Sequence, residues 1–138
     1  MSIAEEVADS ADFAKTVAPL VREYCQKLDD SMRQMGELRS LLQEAIELPD
    51  DVPEGKQRQC RDVALLRELM QAEVASTLSF CRTLKRTSQK VSQRLEHTDM
   101  PELVRLELEV RLADLEQSLQ KSVTQASAFQ RWVNEIPA

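Results

Sequence analysis

Glycine, histidine and aromatic residues are scarce in this chain of 138 residues, which contains two glycines, one histidine, one tryptophan, one tyrosine and three phenylalanines. A β-sheet protein of this size needs more turn residues than two glycines and five prolines supply. Leu, Glu, Gln, Arg and Ala are frequent, and these residues lose little side-chain freedom in a helix. The composition therefore predicts an all-α protein.

The chain also lacks a long apolar run and any cysteine pattern. No stretch approaches the roughly 18 apolar residues of a membrane-spanning helix, and the acidic segment 1–6 does not resemble a signal peptide. The three cysteines, Cys25, Cys60 and Cys81, are too far apart for a metal site, and their odd number predicts free thiols in a reducing compartment. We expect a cytoplasmic or nuclear protein with no membrane span, no metal and no cofactor.

Apolar residues recur every three and four positions in three segments, which predicts long helices packed side by side. The predicted helices cover residues 12–47, 57–97 and 100–135 of a single domain, 1–138. Residues 48–56 contain two prolines and a glycine and are predicted to form a loop. Pro19 is expected to kink the first helix or to mark its first turn, and Asp99 is expected to cap the third helix. Short connections predict an antiparallel, up-down-up three-helix bundle.

The predicted inward face of each helix is a seven-residue repeat interrupted by a few hydroxyl residues. In the first helix it comprises Val17, Val21, Tyr24, Leu28, Ser31, Met35, Leu38, Leu42 and Ala45. In the second it comprises Cys60, Val63, Met70, Val74, Thr77, Cys81, Leu84, Ser88, Val91 and Leu95. In the third it comprises Val104, Leu108, Leu112, Leu115, Leu119, Ser122, Ala126, Phe129, Val133 and Ile136. Cys60 and Cys81 are thus expected to be small buried hydrophobic residues.

No group of residues in the sequence has the spacing of a catalytic site. The one histidine, His97, lies at a predicted helix end, where its charge is favourable. There is no glycine-rich phosphate loop, no nucleophile elbow and no Glu-x-x-His pair. The sequence therefore predicts a protein that is not an enzyme.

Charge is distributed unevenly along the chain. Residues 1–54 carry a net charge of −8, residues 55–94 a net charge of +6 and residues 95–138 a net charge of −4. The basic excess is concentrated in Arg82, Lys85, Arg86, Lys90 and Arg94, which we call the basic row. The row either complements two acidic neighbouring helices or docks an acidic helix, an anionic lipid surface or nucleic acid. Nucleic acid is disfavoured because no aromatic residue suited to stacking accompanies the row.

Several apolar residues fall outside the seven-residue repeat: Leu20, Leu41, Leu65, Leu69, Leu103, Leu106 and Trp132. Most of them are expected to widen the core of a three-helix bundle. The remainder would line a surface groove for another helix. Trp132 has the strongest claim, because tryptophan is often an interface anchor, and Leu69 and Leu106 are further candidates.

In its order of elements the chain resembles the N-terminal three-helix regulatory domain of syntaxin-type membrane-fusion proteins. The similarity consists of an acidic start, three long helices, a loop near residue 50, a tight turn near residue 99 and the segment 124–131. Spectrin-like repeats and subunits of cytoskeletal or kinetochore assemblies share this periodicity. The syntaxin resemblance implies a regulatory domain that folds over a helix from its own longer chain or from a cognate partner.

Three functional hypotheses follow. The first is a helical interaction module, an adaptor or subunit of a larger assembly, that binds partner helices along its sides and is compatible with a homo-oligomer. The second is the regulatory domain that the syntaxin resemblance implies. The third, with less support, is binding of nucleic acid or an anionic surface through the basic row.

Overall fold

The computed structural model describes residues 3–48 and 53–137, with side chains for residues 15–48, 55, 56 and 58–137. Three helices make up this part of the chain: α1 is Ile3–Glu47, α2 is Pro53–His97 and α3 is Glu102–Asn134. Each helix packs against the other two, and the described residues contain no strand. The prediction of an all-helical protein with three packed helices is confirmed.

The first helix begins at Ile3 rather than near residue 12 and continues through Pro19. A proline inside a helix removes one backbone hydrogen bond and crowds the preceding turn. Pro19 lies on the exposed side of α1, where water can satisfy the carbonyl oxygen that loses its donor. The helix therefore tolerates a residue that the sequence suggested as its possible first turn.

The predicted loop 48–56 is shorter than expected. Residues 49–52 lie outside the described residues, but Pro53, Gly55 and Lys56 already belong to α2. Proline is favourable in the first turn of a helix, since its missing N–H has no helical partner there. Pro53 therefore begins the second helix instead of prolonging the loop.

The turn between α2 and α3 also differs in detail from the prediction. Pro101, not Asp99, occupies the N-cap position of α3. The Pro101 carbonyl oxygen accepts a bond from the Arg105 backbone N–H at 3.1 Å, and Met100 is buried beside the core. Packing of Met100 and the backbone bond to Pro101 therefore contribute to the turn, and proline takes the N-cap position predicted for aspartate.

Buried side chains form two clusters that follow one another along the helices. The first core cluster comprises Val17, Val21, Leu28, Cys81, Leu84, Leu95, Met100, Leu108, Leu112, Leu115 and Leu119. The second core cluster comprises Met35, Leu42, Met70, Val74, Ala126 and Val133. All of these except Met100 belong to the predicted inward faces, so the seven-residue repeat identified the core correctly.

A layer of hydroxyl residues separates the two clusters. Ser31, Thr77 and Ser122 occupy the core positions between them on α1, α2 and α3. Thr77 and Ser122 are buried, and Ser31 and Thr77 line a small cavity between α1 and α2. The core is thus divided by polar side chains at one level.

Cys60 is exposed, which corrects its predicted place in the core, whereas Cys81 is buried as predicted. The physical reason is the unequal length of the helices: α2 has 45 residues and α3 has 33. The start of α2 packs near the end of α1, where the Gln59 side-chain amide donates to the Ala45 carbonyl oxygen at 2.9 Å. Because α3 ends at Asn134, Cys60 lacks the third helix that would cover it.

Candidate protein-interaction surface

The basic row lies on the exposed side of α2. All five side chains are exposed, and Arg82, Arg86, Lys90 and Arg94 are four residues apart, so successive members of the row turn by about 40° around the helix. In the described part of the chain, no ion pair is found for Arg82, Lys85, Arg86 or Lys90. Direct pairing with acidic neighbours therefore does not account for these four charges.

A groove runs between α2 and α3, with Lys85 of the basic row on its wall, and we call it the α2–α3 groove. It consists of two adjoining cavities of about 530 Å³ and 240 Å³ that share Glu116. The larger cavity is lined by Cys81, Lys85, Ser88, Gln89, Glu116, Leu119, Gln120, Val123 and Thr124. The smaller is lined by Ser92, Leu95, Glu96, Arg105, Glu109, Leu112, Ala113 and Glu116. The floor of the α2–α3 groove contains buried apolar side chains and its walls are polar, as in many helix-binding grooves.

One polar atom on the floor of the groove is unusual. The Ser88 hydroxyl oxygen is buried and has no hydrogen-bond partner among the described residues. A buried polar group without a partner costs free energy, which a water molecule or a ligand can recover. The Ser88 hydroxyl is therefore a hydrogen-bonding group on a floor that is otherwise formed by apolar side chains.

The chemistry of the groove suits binding better than covalent reaction. Burial raises the pKa of the Cys81 thiol, because desolvation disfavours the thiolate. A protonated thiol is a poor nucleophile, and the residues lining the larger cavity include no histidine. The groove can bury apolar side chains between a basic wall at Lys85 and an acidic wall at Glu116.

Arg105 has a structural role that the sequence analysis missed. Its guanidinium donates to the Leu95 carbonyl oxygen and, at 2.6 Å, to the Thr98 carbonyl oxygen. Carbonyl groups near a helix C-terminus lack helical donors, so Arg105 ties the end of α2 to the start of α3. The sequence could have indicated this role, because Arg105 precedes the core residue Leu112 by seven positions and therefore lies on the inward side of α3.

The candidate residues divide between the two halves of the bundle. The basic row and Leu106 lie on the segments of α2 and α3 that form the first core cluster. Leu69 and Trp132 lie on the segments that form the second core cluster. The structure therefore does not bring all eight predicted site residues into one surface.

Trp132 is partly covered by its own chain. It packs against the second core cluster, and the Arg39 guanidinium carbon lies 5.1 Å from its ring centroid and 5.8 Å from that of Phe129. A cation over an aromatic face stabilises both groups. Trp132 therefore supports the α1–α3 contact and is half-buried.

The leucines outside the seven-residue repeat are exposed, contrary to the expectation that most would widen the core. Their exposed fractions are 39% for Leu20, 50% for Leu41, 57% for Leu65, 47% for Leu69, 82% for Leu103 and 48% for Leu106. Three helices have a narrow common interior, which the inward faces already fill. The leucines are left on outer positions, where they are available to a partner.

Leu103, Leu106 and Val110 form an outer apolar stripe on α3. They are three and four residues apart, and Val110 is 60% exposed. This spacing places all three on one side of the helix. Leu103 and Leu106 were predicted from the sequence as apolar residues outside the repeat, whereas Val110 joins them only in the structure.

Within the described residues, no cluster of His, Cys, Asp or Glu is suited to holding a metal ion. No helix in that part of the chain has the length and apolarity needed to cross a bilayer. Comparison of the chain with protein-family models, with curated proteins and with solved structures found no match. The class that the fold and site define is a three-helix, all-helical protein with an open groove between α2 and α3.

Proposed function

We propose that this chain is a non-enzymatic protein-interaction module, an adaptor or subunit of a larger assembly, that binds a helix of another protein in the α2–α3 groove. The observation that carries the proposal is the groove itself, with its buried floor at Cys81 and Leu119 and its polar walls. An amphipathic helix would cover the floor with its apolar side and contact Lys85 and Glu116 with its polar flanks. The free cysteines favour action in the cytoplasm or nucleus.

The arrangement of helices that we propose is the up-down-up bundle of spectrin-like repeats and syntaxin N-terminal domains. The order of residues in the core clusters supports it. From the first cluster to the second, residue numbers rise along α1 and α3 but fall along α2. In this arrangement α2 and α3 are antiparallel, and the groove lies between them.

The length of the groove indicates the size of the occupant. Its lining runs along α3 from Arg105 to Thr124, which is about 29 Å at roughly 1.5 Å per residue. A partner helix of about 20 residues would occupy it fully. We therefore expect a long helix rather than a short peptide.

Partner capture with two matched variants tests the proposal. Val123 lines the groove, whereas Ala128 is exposed on the same helix outside it. The full chain, Val123→Glu and Ala128→Glu would each be immobilised in lysate of the source organism at physiological salt, and bound proteins would be quantified by mass spectrometry. We expect a stoichiometric helical partner that Val123→Glu loses and Ala128→Glu retains. Equal retention by both variants would refute the groove as the binding site.

The second candidate is a regulatory domain of membrane-traffic machinery, as the resemblance to syntaxin-type proteins implies. The length of the groove favours it, because such a domain must cover a long helix. Recovery of fusion or tethering proteins in the same capture would support this candidate. Recovery of subunits from another assembly would favour the general adaptor instead.

Binding of an anionic surface or nucleic acid through the basic row is a third candidate. It is favoured by the absence of ion pairs for Arg82, Lys85, Arg86 and Lys90 within the described residues. Such binding should fall steeply between low and physiological salt. Binding to an apolar groove should persist over that range, so titration with anionic vesicles and with DNA at two salt concentrations separates the candidates.

A further inference from the structure

The face between α1 and α2 is separate from the α2–α3 groove and has a cavity of its own. The cavity has a volume of about 310 Å³ and is lined by Lys27, Asp30, Ser31, Gln34, Ser76, Thr77 and Phe80. Seven residues make roughly two turns of a helix, so residues seven or fourteen positions from a lining residue lie on the same flank. The lining therefore shows which exposed side chains of α1 and α2 belong to this face.

Exposed leucines continue this face toward the second core cluster. Leu41 lies seven residues after Gln34, and Leu69 lies seven residues before Ser76. Leu65 is four residues from Leu69, which places it about 40° farther around α2. The three leucines are 47% to 57% exposed, and we call them the leucine patch.

The leucines of the two helices lie at one level. Ser31 and Thr77 line the same cavity, and the Gln59 side-chain amide donates to the Ala45 carbonyl oxygen at 2.9 Å. In the proposed antiparallel arrangement, the residues between these two contacts face each other in order. Leu41 is therefore level with residues 63–67 of α2, which include Leu65 and end two residues before the third leucine of the patch.

The Thr77 hydroxyl gives this face a hydrogen-bonding group. Thr77 is 2% exposed, and its hydroxyl oxygen has no partner among the described residues. Such a buried hydroxyl costs free energy that a bound polar group can recover. The cavity volume is close to the lower limit of small ligand pockets, about 300 Å³, so it has room for one polar side chain of a partner.

Acidic side chains flank the leucine patch. Four acids lie seven or fourteen residues from a lining residue on their own helix, and we call them the acidic rim: Glu37, Glu44, Asp62 and Glu73. In the described part of the chain, no ion pair is found for any of them. Glu73 is half-buried and the other three are exposed.

The bases near this face do not balance the acidic rim. Lys27 lies 3.4 Å from Glu23, and Arg33 lies 3.1 Å from Asp30. Arg58, seven residues before a leucine of the patch, is a single charge against four carboxylates. The leucine patch is thus surrounded by an excess of negative charge, and exposed apolar residues with a charged rim often mark a protein contact.

We propose that this face is a second docking surface, and that its occupant is a basic amphipathic helix of another protein. The apolar side of that helix covers the leucine patch, and its lysine or arginine residues contact the acidic rim. One of its polar side chains enters the cavity and bonds to the Thr77 hydroxyl. The inference goes beyond the proposed function, because it concerns a different pair of helices and a partner of defined charge.

The negative charge is the reason for choosing this occupant. A second copy placed by a two-fold axis through the patch would bring the acidic rim against itself. Anionic lipid and nucleic acid would be repelled by the same carboxylates. The face extends from Ser31 to Glu44, about 20 Å at roughly 1.5 Å per residue, so a basic helix of about four turns covers it.

Two designed peptides of 18 residues serve as probes. Both have leucine at every third and fourth position, one central glutamine and alanine elsewhere, except that the positions flanking the leucines are lysine in one peptide and glutamate in the other. Fluorescence anisotropy with the full chain at physiological salt measures both dissociation constants. The lysine peptide should bind at least about 10-fold more tightly than the glutamate peptide.

Substitutions in the patch and the cavity locate the binding. Leu69→Asp should weaken binding of the lysine peptide at least about 10-fold. Leu103→Asp is the matched control, because Leu103 is an exposed leucine on α3, and it should change the dissociation constant less than about 2-fold. Thr77→Val should weaken binding about 3-fold or more, because the side chain in the cavity loses its hydrogen bond.

Charge reversal separates the acidic rim from the net charge of the chain. Glu37→Lys/Glu44→Lys should weaken binding of the lysine peptide at least about 10-fold. Glu107→Lys/Asp114→Lys changes the net charge equally but lies on α3, and it should weaken binding less than about 3-fold. Circular dichroism of each variant verifies that the helices remain folded.

Three outcomes would overturn the inference. They are equal binding of the two peptides, equal losses in a variant and its matched control, and a dimer of the original chain that Leu69→Asp dissociates, since a second copy would then be the occupant. Val123→Glu should bind the lysine peptide as the original chain does, and a loss there would place the peptide in the α2–α3 groove instead. The capture comparison of Val123→Glu with Ala128→Glu is independent of these results.

Discussion

The two ends of the bundle differ in how completely they are closed. At the end that holds the first core cluster, the turn after α2 returns directly into α3, Met100 is buried and Arg105 binds the last carbonyl groups of α2. At the other end α3 stops at Asn134, and exposed Leu41, Ile46, Leu48, Leu65 and Leu69 surround the junction of α1 and α2.

The side chains of the two clusters differ as well. The first cluster is made mainly of leucine and valine, which have few rotamers and pack in a defined way. The second contains Met35 and Met70 and is flanked by Met32, Phe129 and Trp132. Methionine adapts to irregular space, so the second cluster should be the more tolerant of substitution. The comparison teaches that one seven-residue repeat can build two core clusters of different side-chain composition.

The largest expected effect comes from truncating one core residue in each cluster. Leu28 and Met35 are both fully buried on α1. Leu28→Ala should lower the free energy of unfolding by about 3 to 5 kcal/mol and Met35→Ala by about 2 to 3 kcal/mol. Urea unfolding followed by circular dichroism measures both. An equal or larger loss for Met35→Ala would show that the second cluster is no more adaptable than the first.

A smaller effect is expected from removing the link between α2 and α3. Arg105→Ala leaves the carbonyl oxygens of Leu95 and Thr98 without their side-chain donor and should cost about 1.5 to 3 kcal/mol. Arg111 is the control, because it is also half-buried on α3 but only approaches Glu107, at 3.9 Å. Arg111→Ala should cost less than about 1 kcal/mol. Similar losses of unfolding free energy for the two variants would contradict a specific role for Arg105 at the end that holds the first core cluster.

Removing a hydroxyl group from the layer between the clusters should raise the free energy of unfolding instead of lowering it. Thr77 has a buried hydroxyl with no partner among the described residues, so Thr77→Val should raise the free energy of unfolding by about 1 kcal/mol. Thr83→Val is the matched control, because the Thr83 hydroxyl is exposed and donates to the Ser79 carbonyl oxygen at 3.2 Å. Its effect should be within about 0.5 kcal/mol of zero. Destabilisation by Thr77→Val would mean that the hydroxyl is satisfied, for example by water.

Thiol reactivity gives the smallest effect and compares one cysteine from each region. Cys60 is exposed, whereas Cys81 is buried on the floor of the groove and has a raised pKa. Maleimide should therefore modify Cys60 well before Cys81, as peptide mass spectrometry of a time course would show. Rapid modification of Cys81 would indicate that the groove opens.

The pKa of Cys81 also predicts the sign of a pH effect. Because the folded-state pKa is raised, the folded chain holds this proton more tightly than the unfolded chain. Its contribution to stability is complete below the pKa of the unfolded thiol and falls as pH rises through the folded value. Replacing Cys81 with Ala should make the unfolding free energy less dependent on pH in the alkaline range. An unchanged dependence would contradict the assignment.

Most of the core could be predicted from sequence, because the seven-residue repeat depends only on helical geometry. Cys60 was misplaced because its exposure depends on where α3 ends, and the periodicity of α2 carries no information about the length of α3. The start of α1 was misjudged because the apolar residues fall on one face only from about residue 12, whereas the helix itself begins at Ile3.

The candidate surface could be predicted only in part. The basic row and the outer leucines were visible as charge and as apolar residues outside the repeat. The groove was not, because Ser88, Glu116 and Gln120 come together only when α2 packs beside α3. Arg105 was missed for a related reason: its partners are backbone carbonyl groups, which no side-chain pattern records.

Site-specific photo-crosslinking tests the central claim, that the α2–α3 groove is the binding surface, most directly. A photoreactive residue at position 120 faces the groove, and one at position 128 is exposed on the same helix outside it. In the source cells, our account predicts strong crosslinks to a helical protein from position 120 and few from position 128. Equal crosslinking from both positions, or crosslinks from position 128 alone, would contradict it.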